Sequence, residues 1–585
     1  MKRTFRYILV CIPLFFTSCG EDFLQRNPTK EVTDSNFFNS EAELELYSNG
    51  FYSYVPGGTD LMATDFTASD NIEVNTYSAF LAGVRTVPAS GGGWEWTTLR
   101  NINYFLAHYR NANVPVDRLN YYEGLAKFFR AWFYFEKIKM FGDVPWYSEP
   151  LETTSKELYK GRDSRVLVAD SVLNDLNCAI RYLGVAKSPT RITRWTALAL
   201  KSRFCLYEGT YRKYHPELNL TSSAETFLTE CANASWELIT EGGYTAYNTG
   251  KESDYQDMFT ATAPNSEFIL ARTYDKSLSM VHSMNYVLLS ATYYGGAGMT
   301  RQMVESYLMA DGSFFSSVPG GDKMTFVEEC ANRDLRLYQT IRTPGYTRIG
   351  SSEVLLPDFD KASTGYQVTK YVTGMDNDAS NESVNAIPVF RYSEVLLNYA
   401  EARAELGVLT QSDLDVSINK TRARAGLPDM QLTDLTVDPA MQKIYPGISD
   451  AAILEIRRER RIELAFEGFR WADLMRWRRG PLVAQRFSGM YIPKMGLQDL
   501  DGDGVDDFCV VKNAPDKKED GITYLILGDS KLLSNGTYGF ILPQPYTIKT
   551  FDEDRDYLYP IPLNELTINK NLFKTLVGII NTTIL

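Results

Sequence analysis

Apolar residues recur every three to four positions in several long stretches, the period of a helix with one buried face. Leu125, Phe128, Phe129, Trp132 and Phe135 mark such a stripe within Glu123–Met140, and Gly142-Asp143-Val144-Pro145 supplies its stop. Arg194–Glu208 carries Ala197, Ala199 and Ser202, small enough for a neighbouring helix to come close, and Gly209 predicts its end. Tyr392, Val395, Leu396, Tyr399, Ala402 and Leu406 form a third stripe closed by Gly407; Ile418–Ala425 is a fourth, before Gly426. Paired amphipathic helices with short turns predict helical hairpins. No strict period of about 34 residues runs through the chain, so any tetratricopeptide-like array is degenerate. Between the helices lie stretches rich in Gly, Ser, Asn, Thr and Tyr, around 70–93, 277–298, 345–385 and 489–537. Loops of that length in a compact chain commonly carry function.

Composition narrows the function. With 585 residues, 44% hydrophobic and 23% charged, the chain can bury a large core. Its formal charge of −13 opposes a phosphate backbone, which argues against a nucleic-acid ligand. His108, His215 and His282 stand too far apart for zinc-ligand spacing or Ser–His catalysis. Cys178, Cys205, Cys231, Cys330 and Cys509 form no CxxC pair and read as buried free thiols. The 37 tyrosines suit adhesive, wet surface as well as core.

The N-terminus sets the compartment. Lys2, Arg3 and Arg6 precede the apolar run Tyr7–Phe16, followed by Thr17-Ser18-Cys19-Gly20. A basic start, a short apolar core and small residues before a cysteine make a signal peptide over residues 1–18, too short for a mature membrane span. It resembles a bacterial lipoprotein signal in which Cys19 is lipidated, with Phe16 where Leu is usual. Several acyl chains anchor firmly, at roughly 0.8 kcal/mol per buried CH₂. The mature chain, residues 19–585, is then expected as one domain held to the membrane by lipid alone.

Further segments, in order along nearly the whole chain, resemble the SusD/RagB family of Bacteroidetes outer-membrane nutrient-binding lipoproteins. Leu24, Pro28, Thr33-Asp34 and Phe37-Phe38 are similar to its opening. Glu123 to Ala131, leading to Phe141-Gly142-Asp143-Val144-Pro145, is similar to its N-terminal motif, and Arg191-Ile192-Thr193 to another. Arg391 to Leu397, Asn419 to Gly426, Glu459 to Arg470 and Tyr559-Pro560-Ile561-Pro562 complete the set. The closing segment departs from the family after Leu572. The resemblance implies a mainly α fold on four degenerate tetratricopeptide-like units, with long irregular loops carrying the ligand site. It also implies no catalysis, a glycan ligand, a partner SusC-like TonB-dependent transporter, and an outer-membrane, lipid-anchored location facing the cell exterior. The alternatives are a lipoprotein glycosidase and a helical-repeat scaffold that binds only protein.

Candidate site residues follow from chemistry and from the resemblance together. Sugar rings present apolar C–H faces rimmed by hydroxyls, so flat aromatics supply stacking area while Asn, Asp or Arg take the hydroxyls. In the family's starch-binding founder, loop aromatics after an Asp contact ligand. The similar position here is Asp70, followed by Asn75 and Tyr77, although the founder's Trp and Asn do not match residue by residue. Trp94 beside Gly91-Gly92-Gly93, and Tyr293-Tyr294 before Gly295-Gly296, are aromatics next to flexible chain and complete the candidate glycan site. Trp96 reads as core. Asp499, Asp501, Asp503 and Asp507 occupy positions 1, 3, 5 and 9 of a calcium-loop pattern, with Gly504 at 6 and the Val505 carbonyl at 7; Val510 replaces the usual Glu at 12. A structural calcium is therefore expected, and no catalytic cofactor. Glu459, Glu463 and Glu467, with Arg457, Arg460 and Arg461 beside them, read as an ion-paired ladder along one helix. Glycoside hydrolysis instead needs two carboxyls across a cleft.

The anchor is testable. Cys19→Ala removes the acyl acceptor, and the expected outcome is unprocessed or untethered protein on membrane fractionation. Mature-length protein still in the outer-membrane fraction would refute the lipoprotein reading.

Overall fold

The computed structural model describes residues 37–291 and 296–573. Cys19, Tyr293 and Tyr294 lie outside the described residues. α1 (Glu41–Asn49), α2 (Gly58–Ala68) and α3 (Thr97–His108) lead into four long helices: α4 (Val116–Phe141), α5 (Arg165–Tyr182), α6 (Arg194–Tyr214) and α7 (Ala224–Glu241). α4 packs on α5, α6 on α7, and α7 on the later helix Tyr392–Glu405. Gln411–Val416 and Ile418–Arg424 fold back on Tyr392–Glu405, and Ala451–Glu463 leads into Arg470–Arg476. The result is a mainly α, tetratricopeptide-like scaffold whose later units are short and irregular.

The expected aromatic stripe of α4 is buried. α6, however, runs through Gly209 to Tyr214. A Cβ at 209 would sit 3.0 Å from the backbone nitrogen of Leu228 in α7, so this glycine allows a close helix approach rather than marking an end. The stretches expected as loose loops are partly built into small sheets. Residues 489–537 contain Gly496–Gln498, Phe508–Val511 and Thr523–Ile526 in one sheet, and Tyr491–Ile492 and Lys531–Leu533, which flank Gly539–Pro543, in another. Phe508 and Val510 point inward while Cys509 and Val511 are half-buried, the period of two expected of a strand with one covered face. Residues 345–385 have little regular structure, yet Phe359, Tyr366, Val368, Tyr371 and Val372 are core. Two short antiparallel pairings tie these segments to the rest: β1 (Ile72–Glu73) with β3 (Gly298–Met299), and β2 (Phe268–Arg272) with β4 (Ile387–Arg391). The helices and the loop-bearing half keep separate hydrophobic clusters, and Leu61 of α2 packs against both.

Helix Ala451–Glu463 is buried all round from Ile453 onward, although it is rich in charge. Burying unpaired charge is costly, so each ionic group needs a partner from a neighbouring segment. Glu463 accepts from Arg391 at 2.8 Å, from Arg336 at 3.0 Å, and from Arg424. Glu459 accepts from Arg422 at 2.9 Å and Arg336 at 3.1 Å. Glu467, beyond the helix end, holds Arg391 at 2.6 Å and Lys370 at 2.7 Å. These glutamates are therefore structural, as expected, but they pair across the fold and not in a ladder along one helix. Burial alone would raise the carboxyls of Glu267, Glu401 and Glu463, yet the guanidiniums beside them hold all three below the usual range, Glu401 at about 2. Asp65 shows the opposite balance. Burial pushes its carboxyl up to about 7; the Gly468 N–H, donating at 2.7 Å, only partly opposes this, and the other oxygen has no hydrogen-bond partner among the described residues.

Two predictions follow the network. Glu463→Ala removes a counter-ion that three buried guanidiniums share, while Arg391 keeps Glu267 and Glu467, Arg336 keeps Asp334 and Glu459, and Arg424 keeps Glu267; the expected loss is about 1–3 kcal/mol in chemical denaturation, and no measurable change would contradict the shared-counter-ion role. Carboxyls with depressed folded values leave the unfolded chain binding more protons in acid. The stability they contribute is full above about pH 4.5 and lost as pH falls. The raised value of Asp65 acts in reverse, lowering stability as pH rises from about 4 to 7. Melting temperature should peak in mildly acidic buffer, and Asp65→Asn should flatten the decline toward neutral pH.

Candidate functional site

α2 ends at Ala68 and delivers the chain into Ser69-Asp70-Asn71, all buried. Asp70 accepts from Arg470 at 2.6 and 2.8 Å and from Arg461 at 3.1 Å. Burial opposes its charge, but these two guanidiniums outweigh burial and hold the carboxyl far below the usual range. With 0% exposure it has no oxygen for a surface ligand, which corrects the expectation for Asp70. Its work is positional, because β1 follows it directly.

β1 pairs Ile72 with Met299 and Glu73 with Gly298. That register brings the loop after β1, with Asn75 and Tyr77, beside the chain that leaves 292–295. Gly296 has φ +66°, and a Cβ there would come within 2.9 Å of the Asn75 side-chain nitrogen and 2.8 Å of the Asp360 carbonyl. The two loops expected to share a site therefore meet, with a glycine at the contact. The Asn75 side-chain oxygen is screened from solvent and has no hydrogen-bond partner among the described residues.

Tyr77 is half-buried and donates its hydroxyl to Glu73. Lys549 donates to Glu73 at 2.8 Å and lies 5.0 Å from the Tyr77 ring centre and 3.9 Å from that of Phe487. Burial raises the Glu73 carboxyl and lowers the Lys549 ammonium, each partly offset by the other. Burial, then Glu73, pushes the Tyr77 phenol up, so it stays a neutral donor. Glu73, Phe487 and Lys549 were not legible as site residues, because their meeting joins segments far apart in sequence. A nearer signal was Gln544-Pro545-Tyr546-Thr547-Ile548, where Tyr546 and Ile548 are 71% and 73% exposed on the strip leading to Lys549. The Thr550 N–H donates to the Leu81 carbonyl, which holds that strip against the loop after Tyr77.

Trp94 belongs elsewhere. It is 6% exposed in the helical core, edge-on to Phe141 at 4.8 Å and to Trp96 at 5.3 Å. The glycines before it form a turn whose Gly93 carbonyl accepts from Lys137, so the ring points inward. This corrects the expectation for Trp94 as a stacking platform.

In the acidic loop, oxygens of Asp499, Asp501, Asp503 and Asp507 lie within 4.8 Å of one another. The flanks are the paired strands Gly496–Gln498 and Phe508–Val511, and Val510 is in the second. Asp499 accepts from Gly502 N–H at 2.6 Å and Gly504 N–H at 2.8 Å, which curls the loop and lowers its carboxyl. Burial first, and then Asp501, Asp499 and Asp503, raise the carboxyl of Asp507. The set is all oxygen, as a hard cation requires.

No described helix is long and apolar enough to cross a membrane. A family profile described as the SusD family matches residues 266–577, and one described as starch-binding associating with outer membrane matches 22–206. SusD-like protein P38 of Formosa agariphila is 22% identical over 433 residues, covering 69% of this chain and 78% of that protein. A SusD-like protein of Bacteroides ovatus is 22% identical over 420 residues, covering 68% and 71%. Among solved structures, a SusD-like carbohydrate binding protein from Bacteroides fragilis superposes with TM-score 0.68 at 23% identity, covering 92% of this chain and 99% of that one. A second SusD-like protein from the same species gives TM-score 0.68 at 22% identity, covering 93% and 99%.

Proposed function

The chain belongs to the SusD family, and from that premise we propose that it captures an oligo- or polysaccharide at the cell surface and passes it to a partner TonB-dependent outer-membrane transporter. In this reading Cys19 carries the lipid anchor, the protein faces the exterior, and no bond in the glycan is broken. The observation that supports the ligand half of the reading is the β1–β3 pairing, beside which Asn75 lies against Gly296. Tyr77 offers a ring face and Asn75 an amide, with exposed Tyr546 on the neighbouring strip. The solved carbohydrate-binding relative supports the same ligand class. Glu73, the carboxylate beside Tyr77, is tied to Lys549 and to the Tyr77 hydroxyl, which favours a structural ion pair over one of two free acids placed across a cleft.

The test is retention on polysaccharide affinity gels, scored together with release of reducing sugar. Retention without release is expected, and Tyr77→Ala and Tyr546→Ala should each weaken binding by about 1–3 kcal/mol while circular dichroism stays native. Normal binding by both folded variants would place the site elsewhere; sugar release would make the protein an enzyme.

We also propose that the acidic loop holds a structural calcium ion, with Asp499, Asp501, Asp503 and Asp507 as carboxylate ligands and Val505 giving its carbonyl. The mutual repulsion felt by Asp507 supports this, since a cation would relieve it. A metal that binds only the folded loop stabilises by mass action. Chelation should therefore lower the melting temperature, Ca²⁺ should restore it, and Asp501→Ala with Asp503→Ala should abolish the difference. An identical melt with and without chelator would refute the ion.

A further inference from the structure

Between α2, α4, α6 and the turn 467–473 lies a cleft of about 330 Å³ that shares no lining residue with the loop face. We propose that it is a second carbohydrate site, taking one neutral sugar ring; this rests on the glycan reading above. Charge comes first. Five cationic and five anionic side chains line the cleft. Nearly all are already paired: Arg203 with Glu394 at 2.6 Å, Lys139 with Glu136 at 2.8 Å, Arg391 with Glu467 at 2.6 Å, and Asp473 with Arg460 and Arg476 at 2.9 Å. An anionic ligand would have to compete with these pairs, and a cationic one would find only Asp60 without an ion pair among the described residues, whereas a neutral ligand leaves the pairs intact.

Shape and polarity then favour a sugar over a purely apolar guest. Trp132 and Tyr54 meet edge to face at 5.8 Å, and Phe469 lines the same cleft with the Arg203 guanidinium 4.9 Å from its ring centre. Flat walls of this kind suit the C–H face of a pyranose ring. The hydroxyls of Tyr54 and Thr64 line the same space and have no hydrogen-bond partner among the described residues, so two neutral groups remain free to meet ring hydroxyls. The volume falls within the range of small-molecule pockets, roughly 300–1,000 Å³. The ion pairs also fix the wall before any ligand arrives, which reduces the ordering cost of binding.

The experiment is saturation-transfer NMR on the full chain, with methyl glycosides of glucose, galactose, mannose, xylose and N-acetylglucosamine as probes. At least one should receive saturation from the wild-type protein. Ala472→Phe, which fills the cleft, should abolish that transfer. Tyr54→Phe removes a hydroxyl that bonds to nothing in the protein, so the fold is expected to stand, and affinity should drop about three- to tenfold. Tyr77→Ala should leave the transfer unchanged while weakening retention on polysaccharide gels. That separates the two sites: gel retention unweakened by Tyr77→Ala, with the cleft signal intact, overturns only the loop-face assignment. Absence of transfer for all five probes, or transfer that survives both cleft variants, overturns the second site.

Discussion

The buried ionic girdle around helix Ala451–Glu463 is the constraint on which the rest of the architecture depends. Its glutamates gather arginines from three separate stretches: Arg336 before the irregular segment, Arg391 at the end of β4, and Arg422 with Arg424 from the short helix 418–424. Buried pairs of this kind add little net stability over apolar packing, but removing one partner is severe. Their value is geometric. A guanidinium fork accepts only a narrow range of positions for its carboxylates, so each pair fixes where a segment without regular structure must lie. That explains how residues 345–385 can have almost no helix or strand and still bury Tyr366 and Tyr371 in the core.

The girdle also reaches the candidate site. Arg461 on the helix and Arg470 just after it clamp Asp70, and β1 starts two residues later. The placement of Asn75 and Tyr77 is thus set from the centre of the molecule outward. The neighbouring turn carries the cost of the arrangement: Phe466 has φ +60°, and Asp65 keeps one oxygen without a partner beneath Gly468. The cleft draws on the same source, since Arg391, Arg460 and Arg476 form part of its wall.

Helices were the most legible part of the sequence. Their apolar period survives in the fold at Leu125 to Phe135 and at Tyr392 to Leu406, because helix burial is a local pattern. The short sheets were hidden because strands of two to five residues, such as Phe508–Val511, leave too few alternations to stand out from loop. Site residues were harder still. Asp70 looks like a surface acid in Ser69-Asp70-Asn71, and nothing local reveals that its partner lies 391 positions away at Arg461. Trp94 looks like a loop aromatic until Lys137 is seen capping the glycine turn from α4. Asn75 and Tyr77 became candidates only because family resemblance supplied the long-range information that residue patterns lack, while Lys549 and Glu73 carried no such mark.

The β1–β3 pairing has only two residue pairs, and beyond it the loops bearing the candidate site are held by scattered backbone and side-chain hydrogen bonds rather than an extended ladder. Divergence in such a protein is therefore unequal. Substitutions near Tyr77 and Tyr546 can accumulate one at a time, giving descendants new appetites at small cost to folding. The girdle is less free to drift: Glu463 alone is shared by three buried arginines, so a change there is felt by three segments at once. A rigid interior thus leaves the rim the freer part of the molecule to vary.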